Sequence, residues 1–78
     1  MSWNYRVMKR KHKLPSGGTE DEFGIYEVYY NNKGKVDGWT EDSVAPHGET
    51  LEELKKAFDL YKGALDKPAL DYKTGKEE

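Results

Sequence analysis

The chain has 78 residues, which bounds it to one small domain. It carries 13 Lys and Arg against 15 Asp and Glu, a net charge of -2, which excludes a uniformly basic nucleic-acid binder and leaves only a local basic patch open. It has no cysteine, which excludes a disulfide scaffold, a thiolate metal site and a cysteine nucleophile. Hydrophobic residues make up 35% and charged residues of both signs 36%, the balance of a folded but very polar domain. No apolar run approaches the roughly 18 to 20 residues of a membrane span. The start, Met1-Ser2-Trp3-Asn4-Tyr5, lacks the charged and apolar regions of a secretory signal, so a cytoplasmic location is the expectation.

Trp3, Tyr5 and Val7 alternate with Asn4, Arg6 and Met8, which is a strand period. The basic run Lys9-Arg10-Lys11-His12-Lys13 follows, and Pro15-Ser16-Gly17-Gly18 marks a turn. A second strand is predicted from about Glu22 to Tyr30. Asn31-Asn32-Lys33-Gly34 then suits a type I turn closed by a left-handed glycine. A third strand, about Lys35 to Glu41, completes an antiparallel meander.

A turn centred at Ser16 and Gly17 pairs Val7 with Tyr26, Tyr5 with Val28 and Trp3 with Tyr30. A glycine-bulge turn at 32–34 pairs Tyr30 with Val36, Val28 with Gly38 and Tyr26 with Thr40. Both registers place Trp3, Tyr5, Val7, Tyr26, Val28, Tyr30 and Val36 on one face. A single unrecognised bulge flips a strand and breaks that arrangement.

Gly48-Glu49-Thr50-Leu51-Glu52-Glu53-Leu54 holds a capping box, in which Thr50 accepts from the Glu53 amide and Glu53 reaches back to the Thr50 amide. Leu51, Leu54, Phe58, Tyr61 and Leu65 then recur at helical spacing beside Ala57 and Ala64. Gly63 weakens the last turn and Pro68 stops the helix. The stripe is expected to pack on the aromatic sheet face, with Gly38 allowing close approach. The expected fold is therefore α+β: a three-stranded antiparallel β-meander with one α-helix packed on one face. It forms a single domain over residues 1–72 with a short extended C-terminal segment, and 73–78 form a flexible tail.

This order of strands, followed by Gly48-Glu49-Thr50-Leu51-Glu52-Glu53-Leu54, resembles the HicB-like antitoxin domain across most of residues 4–65. There a short antiparallel sheet leads into a glycine-x-threonine-leucine-glutamate-glutamate helix start. Residues Thr40 to Pro46 depart from that family's proline-rich, glycine-cysteine stretch. The resemblance implies a protein contact made by the sheet and helix, and toxin neutralisation rather than operator binding.

The predicted register leaves Met8, Ile25, Tyr29 and Trp39 together on the second sheet face, among Arg6, Glu27, Asp37 and Glu41. Such a cluster is a candidate interface, for a second copy or for a partner protein. The alternative is that the C-terminal segment, with Leu70 and Tyr72, folds over it. Replacing Trp39 with Ser is then expected to abolish association and leave the fold intact. A second reading is weak nucleic-acid binding through Arg6, Lys9, Arg10, Lys11 and Lys13, opposed by the acids Glu20, Asp21 and Glu22 across the hairpin. A third is a small enzyme centred on His47, for which no nucleophile or orienting carboxylate is signalled. Two isolated histidines without cysteine do not make a zinc site, and no phosphate-loop or dinucleotide motif is present. The function expected is a non-enzymatic protein-interaction module with neither metal nor cofactor.

Overall fold

A computed structural model describes residues 2–77 of the chain. The strands are β1 (Ser2–Lys13), β2 (Thr19–Tyr30) and β3 (Val36–Trp39). Helix α1 (Leu51–Ala64) follows, and a two-residue strand, β4 (Leu70–Asp71), comes last. The architecture is α+β with one helix and an open four-stranded sheet in the order β3-β2-β1-β4. The first three strands are antiparallel neighbours. The sheet is nevertheless mixed rather than a pure antiparallel meander, because β4 lies parallel to β1.

The first register differs from expectation by one residue throughout, and the second by one residue beyond its Tyr30–Val36 pair, for identifiable reasons. The first hairpin closes at Leu14 and Gly18, where the Leu14 amide donates to the Gly18 carbonyl at 2.7 Å and Gly17 adopts φ +96°. A two-residue turn would have made Pro15 the last ladder residue opposite Gly18, but proline has no N–H to give. The loop therefore takes three residues, and Trp3 pairs with Tyr29, Tyr5 with Glu27 and Val7 with Ile25. The second hairpin forms around Asn31 and Gly34 (φ +76°), with the Asn31 side chain accepting from the Lys33 and Lys35 amides. Beyond it, Tyr30 pairs with Val36 but Tyr29 pairs with Gly38, so Asp37 is inserted as a bulge. Trp39 thereby pairs with Val28 and joins its face.

These two offsets exchange β1 and the end of β3 between faces. Met8, Tyr26, Val28 and Leu70 form the buried core on one face, with Tyr30, Val36, Trp39 and Tyr72 packed against it. Burying each such side chain stabilises the fold by roughly 1.5–3 kcal/mol. Tyr72 lies between Tyr26 and Trp39, with ring centroids at 5.5 and 6.0 Å, and the Arg10 guanidinium sits 4.1 Å over its ring. The chain from Leu70 to Glu77 closes on itself through a Leu70–Glu77 bridge and the Asp71 amide bonded to the Lys76 carbonyl. Gly75 is buried at φ +72°, and a Cβ there would lie 2.6 Å from the Trp39 ring. Within the expected tail, Gly75 is thus packed against Trp39, while Lys73, Thr74, Lys76 and Glu77 are exposed. Met1 and Glu78, at the ends of the expected domain and tail, lie outside the described residues.

The helix covers the other face, above Tyr5, whose ring lies 4.2 Å from that of Tyr61. Its cap forms with one difference from the expected box. Thr50 Oγ1 accepts from the Glu53 amide at 3.1 Å, but the Glu53 carboxylate accepts from Glu49 rather than Thr50. Gly48 permits this, since a Cβ on it would lie 2.6 Å from the Leu54 nitrogen. The described residues include no helix long and apolar enough to cross a membrane.

Candidate interaction surfaces

The four residues expected to share an open sheet face do not share one. Met8 is fully buried and Trp39 half-buried in the core, beneath the segment that ends at Glu77. Ile25 and Tyr29 lie on the opposite face, half-buried, beside the helix-bearing residues Tyr5 and Val7. The Tyr29 hydroxyl donates to Glu27 at 3.3 Å. Burial, and then the neighbouring carboxylate, push its pKa up. Of the four, Met8 and Trp39 therefore belong to the hydrophobic core, and Trp39→Ser removes core packing rather than a docking residue.

The basic segment is also divided by the pleat. Arg6, Met8 and Arg10 point to the core face, Lys9, Lys11 and Lys13 to the helix face. Arg6 is 7% exposed and held inside the molecule. Its Nη2 donates to the Pro68 carbonyl at 2.7 Å, and its Nη1 to the Tyr30 hydroxyl at 3.2 Å, which donates on to Asn4. Glu77 lies 3.8 Å from the same guanidinium. Arg10 donates to the Glu41 carbonyl and covers Tyr72. Neither arginine presents its charge as a patch. Across the hairpin, Lys11 faces Asp21 and His12 faces Glu20, whose carboxylate lies 2.8 Å from Nε2. That hydrogen bond, foremost, raises the His12 pKa. His47 is exposed in the loop before α1. Among the described residues no group of three or more His, Asp or Glu side chains is placed to hold a metal ion.

Two other surfaces emerge. The helix buries Tyr61 and Ala64 and half-buries Leu54 and Ala57, all at three- and four-residue spacing. Leu51, Phe58 and Leu65 run along the flank of that strip and remain 67, 56 and 66% exposed. The signal available was the pair of alanines. Ala57 and Ala64 mark the side that approaches the sheet closely, turning the seven-residue repeat of Leu51, Phe58 and Leu65 outward. The second surface is a cleft of about 600 Å³ at the edge of β1, lined by Lys9, Arg10, Lys11, Asp71, Tyr72 and Lys73.

No protein-family model matches the chain, and no curated protein or solved structure matches it.

Proposed function

We propose that the chain is a non-enzymatic protein-interaction module that pairs with a second copy of itself through the outer flank of α1. The observation that carries this reading is the exposed row of Leu51, Phe58 and Leu65. Three large apolar side chains in one line on so small a domain form a patch of the kind that marks an interface. The row spans about 21 Å of helix. It is also symmetric, since Leu51 and Leu65 each stand seven residues from Phe58. A two-fold axis at Phe58 sets Leu51 of each copy against Leu65 of the other, the self-complementary pattern that an isologous dimer requires. Lys55 and Lys62 border the row, and Asp59 lies within one turn of both, which softens their repulsion across such an axis. The likeness of Gly48–Leu54 to the helix start of HicB-like antitoxin domains also supports a protein-contact role.

The test is sedimentation velocity over a wide concentration range. The wild type is expected to shift from monomer to dimer, and Phe58→Glu to remain monomeric with an unchanged circular dichroism spectrum. A wild type that stays monomeric at its highest soluble concentration, or a Phe58→Glu dimer of undiminished strength, overturns the reading.

A further inference from the structure

We infer that the open edge of β1 from Lys11 to Lys13 accepts an acidic, extended peptide of a partner protein as an added strand. The argument begins with the direction of the backbone. The Leu14 amide bonds to Gly18, so the even-numbered residues of this part of β1 turn their amides and carbonyls towards β2. The Lys9 carbonyl accepts from the Tyr72 amide at 2.9 Å, on the opposite side. Lys11 and Lys13 keep the phase of Lys9, so their N–H and C=O groups point to that same outer edge. Strand β4 pairs only with Met8 and Lys9, and no described strand lies beside Lys11 or Lys13 on that side.

The chain's own C-terminal segment already uses this edge. Asp71 sits beside Lys9 in the parallel pairing, and the cleft opens where β4 ends. An incoming strand there continues the sheet past Asp71 and completes the edge, the recognition mode in which main-chain bonds supply affinity and side chains supply choice. The charge at this edge selects the occupant. Lys11 and Lys73 line the cleft beside one acid, Asp71, and Lys13 extends the row. Across the ladder Lys11 faces Asp21, whereas Lys13 faces the uncharged Thr19, so the outermost lysine has no acid opposite it in β2. A row of carboxylates on an extended backbone matches both features, whereas a nucleic-acid strand offers no N–H ladder to the edge carbonyls. This inference stands apart from the helix flank and uses none of its residues.

The probe is acetyl-Glu-Val-Glu-Val-Glu-amide, titrated into the nitrogen-15-labelled 78-residue chain carrying Phe58→Glu. The Lys11 and Lys13 amides are expected to shift and to gain protection from hydrogen exchange. Lys11→Glu combined with Lys13→Glu is expected to weaken binding by about tenfold or more, and raised salt to weaken it as well. A peptide carrying N-methyl groups on alternate amides separates strand addition from simple charge attraction in the wild-type arm, and it must lose binding. Equal binding of the N-methylated peptide overturns the proposal, as does equal displacement by oligo-dT. So does Lys11 and Lys13 protection that grows with protein concentration alone, which would make a second copy the occupant. No amide shift with any probe overturns it too, leaving the lysines as guards against edge-to-edge aggregation.

Discussion

Arg6 shows how one side chain can join three parts of this molecule. Its guanidinium bridges the Tyr30 hydroxyl on β2 and the Pro68 carbonyl after α1, and stands near Glu77 at the end of the described chain. Arg6→Ala is expected to destabilise the fold by roughly 2 kcal/mol, since it leaves the Pro68 carbonyl unpaired and opens space beside Tyr30. Urea denaturation measures this, and Arg6→Lys should fall between because one ammonium cannot reach both acceptors. Tyr61 gives a second residue-scale result. Burial, and then the Tyr5 hydroxyl, push its pKa up to about 12. The folded state thus favours the neutral phenol. Its contribution is complete below the ordinary tyrosine value near 10 and is lost as pH rises towards 12. Ultraviolet titration should show a tyrosine ionisation at about 12, and Tyr61→Phe should remove that step.

At the scale of elements, the C-terminal segment behaves as a cover closed by one glycine. Gly75 occupies a left-handed conformation directly against Trp39. Gly75→Ala imposes both the backbone penalty of positive φ and a collision with the indole. The expected result is faster hydrogen exchange at Asp71 and Tyr72 and a red-shifted tryptophan emission, with α1 retained. A native-like emission spectrum in Gly75→Ala would show that the segment does not cover Trp39 in solution. Gly48 has the matching role at the start of α1, where Gly48→Ala is expected to cost on the order of 1–2 kcal/mol in a thermal melt. The β1–β2 ribbon beyond Lys9 and Ile25 lacks this support, and the His12–Glu20 contact is one of the few that brace it. The raised His12 pKa means the charged pair contributes fully below about 6.5, the ordinary histidine value, and fades as pH rises through the raised one. NMR titration should find the His12 ring titrating above the usual histidine value, and Glu20→Gln should bring that titration back towards the usual value.

The whole molecule is a thin sheet with a different cover on each side. Its dimensions of 43 × 33 × 20 Å reflect a ribbon that projects beyond both covers. The core face is closed by the segment from Leu70 to Glu77 and the other face, in part, by α1. Neither cover is large, so the division of apolar residues between them leaves Leu51, Phe58 and Leu65 outside. Trp39→Ser consequently tests the molecule rather than a binding site. The expected outcome is a fall in stability of about 3 kcal/mol or more, with any dimerisation unaltered among the molecules that remain folded.

Three strands in order, both glycine-bearing turns, the capped helix and its stop near Pro68 were legible in the sequence. Each depends on contacts between residues a few positions apart: alternation, a left-handed glycine, a Thr50 hydroxyl within reach of the Glu53 amide. The assignment of faces was not legible, and with it the candidate surface failed. It turned on whether the first loop held two residues or three and whether Asp37 stood inside the ladder or bulged from it. A side-chain period of two converts each such step into a complete exchange of inside for outside. Only the tertiary structure decided that exchange, because only packing brings Met8, Val28, Trp39 and Leu70 together from four separate strands. The sequence by itself determined a polar single domain with little apolar material to bury. The tertiary structure decided which residues were buried and therefore which remained exposed.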